Sequence, residues 1–219
     1  NEPKHKRGEK LILNGMARDY FQRENLKRGL TKAHSEDLIL ISDLDEIPNL
    51  KELNFSKIKD NILIFEQKMF YYKFNLFYDQ FKWQGTKATR YKNFLSPQWL
   101  RNIKGKKYPK WRIDTFFSNK KYSNLFFVRN GGWHFSSIRT PEDLEKKLLN
   151  FAHHYEFEVS GLKLNDIKSL INEKRVIYDY RVDQTEFKWS GKSTLKRIDL
   201  KLLPDYIYKN NFKFSEWLD

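Results

Sequence analysis

Residues 38–48, Leu-Ile-Leu-Ile-Ser-Asp-Leu-Asp-Glu-Ile-Pro, constrain this chain more than any other stretch, because an apolar run breaks there into three carboxylates and is stopped by Pro48. Leu38 to Ile41 have the aliphatic, β-branched character of a strand covered on both faces, a type found mostly in parallel α/β sheets. Side chains alternate along an extended backbone, so Asp43 and Asp45 are expected on one face and Leu44 and Glu46 on the other. Two carboxylates held that close repel one another unless a cation sits between them, and an oxygen-liganded Mn²⁺ or Mg²⁺ fits. Open α/β sheets also bind ligands beyond the carboxyl ends of their strands, where these residues should lie. Acidic residues after a strand equally serve as turn formers or helix caps, so the motif alone does not name a reaction.

With 219 residues, 39% of them hydrophobic and 16% aromatic, the chain can bury a full core, and one domain is expected over 1–219. Its formal charge of +14 suits an anionic partner such as nucleic acid, a membrane surface or a phosphorylated substrate. The lysines are scattered, and composition does not choose among these partners. The absence of cysteine excludes disulfides, zinc–thiolate sites and Cys nucleophiles and fits a reducing, cytoplasmic location. No run approaches the length of a membrane span, and the N-terminus carries no signal-peptide pattern. Asn54-Phe55-Ser56 matches a glycosylation acceptor, which matters only in a secreted protein.

Along the chain, residues 1–10 are polar and charged with Gly8 as a breaker, and 16–30 read as a helix on which Arg18, Gln22 and Arg23 cluster. Such a cluster is either a solvated face or a set of phosphate contacts. Ile62–Glu66 and Met69–Phe74 read as two strands, the second dense in aromatic residues that form core or stack on sugars. Residues 75–121 show poor periodicity and read as loops and short strands bearing Trp83, Trp99, Trp111 and Asp114. Leu125–Val128 is a further strand, and Gly131-Gly132, a pair that allows close backbone approach or positive φ, should place Trp133 and His134 just past its end. Thr140-Pro141-Glu142-Asp143 carries the N-cap, first-turn Pro and acids of a helix start, followed by a stripe of Leu144, Leu148, Phe151, Ala152 and Tyr155, with His153 opposite it. Short helices are expected at 166–171 and after Leu203-Pro204.

The chain has no Gly-rich phosphate loop, no Gly-x-Ser-x-Gly and no His-Glu-x-x-His. A strand followed by Asp-x-Asp is similar to the start of haloacid-dehalogenase phosphatases, but Ile47 stands where those enzymes carry Thr or Val. A glycosyltransferase fits better, since cleavage of a sugar–diphosphate bond calls for a divalent cation beside the leaving group and a base for the acceptor hydroxyl. A basic nucleic-acid-binding module is the non-enzymatic alternative, and it leaves the acidic strand end unexplained.

Asp43-Leu44-Asp45-Glu46-Ile47-Pro48, preceded by Arg18-Asp19-Tyr20-Phe21-Gln22-Arg23-Glu24-Asn25 and followed by Gly132-Trp133-His134-Phe135-Ser136, resembles glycosyltransferase family 17. Phe151-Ala152-His153-His154 and Leu203-Pro204-Asp205-Tyr206-Ile207 resemble that family's later blocks in the same order. The resemblance implies a GT-A-like α/β fold with a mixed central sheet flanked by helices, and a nucleotide-sugar donor, UDP-GlcNAc in the animal member. It further implies a glycan acceptor, a divalent metal, inversion at the anomeric carbon and no nucleic-acid partner. Carried over by motif, Asp43 and Asp45 are the metal and diphosphate residues, with Glu46 in support. Arg18, Gln22 and Arg23 position phosphate or brace the strand, while Trp133 and His134 face the cleft, with His134 a candidate metal or phosphate contact. No motif names the base, for which Asp114, Glu142 and Asp143 are the candidates. GT-A folds begin with a nucleotide-binding strand that has no counterpart before Leu11, so either an N-terminally incomplete domain or a differently held nucleotide base is expected. Phe135 also replaces the animal enzyme's cysteine, and no membrane anchor is present, so the N-glycan acceptor and Golgi location are not carried over.

Overall fold

The apolar run Leu38–Ile41 is strand β1 in a computed structural model that describes residues 4–51, 53–54, 62–109, 111–115, 117–151, 154–181, 188–189 and 191–219. Phe55, Ser56, Ala152 and His153 lie outside the described residues, and with them parts of the acceptor pattern and of the helix stripe.

β1 runs antiparallel to β4 (Leu76–Arg90), with Ile41 opposite Lys87, which corrects the expectation of a parallel neighbour. Both of its faces are nevertheless covered. Ile39 and Ile41 pack with Ile62, Ile64, Leu100, Ile103 and Leu125, while Leu38 and Leu40 pack against Leu63, Phe65, Ala88 and Val128. A continuous apolar run reports burial on two faces and is silent on strand direction.

The described strands form one mixed sheet in the order β1-β4-β3-β6-β2, with β5 on β3 and β7 on β4. They comprise β2 (Glu46–Pro48), β3 (Ile62–Tyr71), β5 (Leu125–Val128), β6 (Gly132–Ser136) and β7 (Lys196–Arg197). β3 and β5 are parallel; β2 with β6 and β4 with β7 are antiparallel. The flanking helices are α1 (Lys4–Glu24), α2 (Pro97–Asn102), α3 (Pro141–Asn150), α4 (His154–Ser160), α5 (Leu164–Asn172) and α6 (Asp205–Lys209).

Several local expectations are corrected. α1 starts at Lys4 and runs through Gly8 instead of breaking there; a Cβ at that position would come 2.7 Å from the Tyr155 ring, so this glycine serves a close approach. Residues 25–30 form a 3-10 turn instead of continuing the helix. β3 is one strand, since Gln67 is buried and satisfied by Thr86 (Nε2 to Oγ1, 3.2 Å) and does not interrupt it. The region 76–90, read as loops, is a 15-residue strand whose exposed middle hides the two-residue period. Trp133 and His134 lie on β6 itself. α3 starts as expected, with Thr140 Oγ1 accepting from Asp143 N at 3.2 Å, but it ends at Asn150, and Tyr155 belongs to α4.

The chain divides into two compact units. One comprises Asn1–Asp19, Met69–Phe81 and Phe135–Asp219; the other comprises Tyr20–Lys68 and Lys82–His134. In the first, the aromatic run is core. Tyr71, Tyr72 and Tyr78 are buried and donate to Tyr178 O (2.8 Å), Arg175 O (2.9 Å) and Asp179 Oδ1 (2.6 Å). Burial would raise the Asp179 carboxyl, but hydrogen bonds from Ser193, Tyr78 and the Arg181 amide outweigh it and hold the group below its ordinary value.

Candidate active site

The second unit contains the acidic turn. β1 ends at Ile41, and the chain then closes on itself: Glu46 N donates to Asp43 O (3.0 Å) and Asp43 N donates to Glu46 Oε2 (3.0 Å). Ser42 Oγ donates to Glu46 O (3.0 Å) and lies 2.5 Å from Thr86 Oγ1 on β4. Residues 43–46 are therefore a turn, and the alternation expected of an extended strand does not hold. Asp43 and Glu46 share a cation, and Asp45 goes elsewhere.

That cation is Arg101, near the end of α2. Its Nη2 donates to Asp43 Oδ2 at 2.6 Å, and its Nη1 donates to Glu46 Oε2 at 3.1 Å and to Gly85 O at 2.6 Å. The Glu46 side chain is fully buried and also accepts from Trp83 Nε1 at 2.7 Å. Arg23 approaches Asp43 Oδ1 at 3.5 Å and donates to Gln98 Oε1 at 2.8 Å. Two arginines thus balance two carboxylates. A planar guanidinium suits this position because it donates in several fixed directions at once.

α2 is held at both ends. Ser96 Oγ accepts from Trp99 N (3.1 Å) and Glu24 Oε1 from Gln98 N (3.0 Å), two of the amides a helix start leaves unpaired. At the other end Lys87 Nζ donates to Arg101 O (2.7 Å) and Ile103 O (2.6 Å). Burial, reinforced by Arg101, lowers the Lys87 ammonium from the ordinary 10.5 to about 8, against the opposing pull of Glu46 and Asp43. A group depressed on folding contributes stability that is present above 10.5 and lost as pH falls through 8. Urea midpoints are accordingly expected to rise between those pH values by up to about 3 kcal/mol in free energy. Lys87→Met should flatten the rise. Tyr78 acts in the opposite sense: burial and its bond to Asp179 push it up to about 12, so its contribution is lost as pH climbs from 10 to 12.

Glu46 then enters β2, which pairs with β6 so that Glu46 faces His134, Ile47 faces Trp133 and Pro48 faces Gly132. Gly132 has φ +124°, and a Cβ there would lie 2.0 Å from Ile47 O, so the pairing admits only glycine. His134 is buried, stacks on Trp83 with ring centres 4.4 Å apart and 22° between planes, and directs Nε2 to Asp45 Oδ2 at 3.5 Å. Its Nδ1 is buried without a hydrogen-bond partner among the described residues. The Asp45 side chain is 39% exposed.

Of the sequence candidates, Asp43, Asp45, Glu46, His134 and Arg23 thus come together, and Trp133 lies half-buried across from Ile47. Arg18 donates to Asn14 O (3.4 Å) on its own helix, and Gln22 is exposed. Asp114 is engaged by Arg112 (2.6 Å) and Lys121 (2.8 Å), which hold its carboxyl below the ordinary value, Lys121 most strongly. In the other unit, Glu142 pairs with Lys168 at 2.8 Å, which lowers it likewise, and Asp143 lies 3.7 Å from Lys146. A general base works best with its pKa near the working pH, so the downward shifts of Asp114 and Glu142 are in the wrong direction for that role. Arg101 and Lys87 are site residues that sequence reading passed over, and Trp83 was legible only as one of several residues on loops and short strands; the Ser96-Pro97 helix start was the one local signal available for Arg101.

Among the described residues, no group of three or more His, Asp or Glu is gathered closely enough to hold a metal by itself. No helix among them is long and apolar enough to cross a membrane. The fold defines the class: an α/β protein with a mixed sheet flanked by helices. Comparison with family models, curated proteins and solved structures finds no match to this chain.

Proposed function

We propose that this chain is a GT-A-like, metal-dependent, inverting glycosyltransferase that moves a sugar, N-acetylglucosamine above all, from a nucleotide diphosphate donor to a glycan hydroxyl. The observation that carries the reading is the division of labour within the acidic turn. Asp43 and Glu46 are neutralised by Arg101 and Arg23, while Asp45 stays half-exposed with His134 Nε2 3.5 Å away. One carboxylate suffices for a Mn²⁺ or Mg²⁺ that takes its other ligands from substrate phosphates and water, and the neighbouring imidazole can add a nitrogen ligand to Mn²⁺. Asp45 and His134 therefore fit as the protein's share of such a site. A bound divalent ion supplies charge neutralisation for the departing diphosphate.

The chain's own residues do the rest by positioning. Arg101 ties Asp43 and Glu46 into one unit, so the turn does not spread when Asp45 takes on a ligand. Trp83 holds the His134 ring flat, and the Glu46–His134 register fixes its distance from Asp45.

The test is calorimetric titration of UDP and UDP-GlcNAc with and without Mn²⁺, on wild type and Asp45→Asn. Asp43 is unsuited to this purpose, because replacing it breaks the arginine network. Wild type should bind only with metal, and Asp45→Asn should weaken that binding by about 100-fold or more at an unchanged urea midpoint. Equal, metal-independent affinity in both proteins would sink the proposal.

A further inference from the structure

The described residues between Lys104 and Lys121, with a 3-10 turn at Ile113–Thr115, make a connection too long and too well built to be a simple one. Lys104 N donates to Lys120 O at 2.8 Å and closes its base. Inside, Tyr108 is buried at 8% exposure, with the Arg112 guanidinium 5.2 Å and the Lys121 ammonium 6.0 Å from its ring centre. Arg112 and Lys121 also hold Asp114 between them, and Thr115 Oγ1 donates to Arg112 O at 2.7 Å. The loop thus has a small core of its own, in the manner of a compact Ω-loop.

What it presents outward is unusual. Trp111, Ile113 and Phe117 are 81%, 71% and 88% exposed, within seven residues of one another. Around them Lys104, Lys106, Lys107 and Lys120 are exposed. The segment holds seven Lys and Arg against the single Asp114, a formal +6 in eighteen residues, where the whole chain carries +14 in 219. Asp114 is already paired, so no uncompensated acid of the loop opposes an incoming anion.

We propose that this loop is a membrane-surface docking element: Trp111, Ile113 and Phe117 enter the boundary between headgroups and acyl chains of an anionic bilayer, and the surrounding lysines contact its phosphates. Indole and phenyl rings partition to that boundary, and basic residues near it are drawn to anionic lipid. Ile113 decides against a stacking surface for nucleic acid, since an aliphatic side chain has no π-face to offer a base. The inference is independent of the donor-site reading.

The test is co-sedimentation of the full chain with phosphatidylcholine vesicles and with vesicles containing about 30% phosphatidylglycerol. The proteins are wild type, the double variant Trp111→Ser/Phe117→Ser, and the triple variant Lys104→Glu/Lys106→Glu/Lys107→Glu. Wild type is expected to bind the anionic vesicles alone, and both variants to lose at least about tenfold in affinity with unchanged circular dichroism and urea midpoint. Brominated lipid should quench emission from bound wild type more than from bound Trp111→Phe, which places residue 111 in the bilayer. Absence of vesicle binding by wild type, or equal binding by all variants, overturns the proposal. So does tighter binding to a single-stranded oligonucleotide than to vesicles at matched phosphate, which would assign the loop to nucleic acid.

Discussion

Arg101→Ala is expected to lower the free energy of unfolding by about 3–5 kcal/mol. Glu46 has a fully buried side chain, and Arg101 is the cation that balances it. Once Arg101 is gone, Trp83 Nε1 and Asp43 N remain as neutral donors to a carboxylate with no access to water. Gly85 O and Asp43 Oδ2 lose their donor in the same step. Arg101→Lys should recover little, because one ammonium on a flexible stem cannot serve Asp43, Glu46 and the Gly85 carbonyl together. A double-mutant cycle with Glu46→Gln isolates the cause. Without charge at position 46, Arg101→Ala should cost at least about 2 kcal/mol less than in wild type. If urea unfolding gives the same cost in both backgrounds, Arg101 acts through packing, and the charge account of the turn fails.

Gly132→Ala should be comparably severe, on the order of 3–5 kcal/mol. Two costs combine at this position. A φ of +124° is one that L side chains rarely adopt, and the new Cβ would meet backbone, Ile47 O at 2.0 Å and Asn49 N at 2.8 Å, neither of which can rotate away. Relief requires β2 to separate from β6, which also breaks the register that sets Glu46 opposite His134. If the proposed donor site is right, the variant should also lose metal-dependent donor binding along with stability. Gly29→Ala is the control, since a Cβ there meets nothing within 4 Å, and it should change stability by less than about 0.5 kcal/mol. Similar midpoints for the two variants would mean that the strand pairing tolerates a side chain.

The acidic turn shows where sequence reading reached and where it stopped. The apolar run, the three acids and Pro48 located the end of a strand, and the Gly-Gly pair located a close backbone approach. Neither could show that Asp43 and Glu46 would face one guanidinium, because a turn suspends the alternation on which the expectation rested. The base candidates Asp114 and Glu142 were legible only as acids; their partners Lys121 and Lys168 settle what surrounds them.

Features carried by short-range rules were determined by the sequence alone: the Leu38–Ile41 strand, the Thr140 cap and the α/β class. Each depends on residues within a turn or two, where sterics, capping and periodicity act directly. The tertiary structure alone decided the antiparallel partner of β1, the long strand β4 and the arrival of Arg101 at an acid 58 positions earlier in the chain. The energy that selects those contacts, a buried carboxylate finding its cation, exists only once distant segments have been brought together, and no local pattern records it.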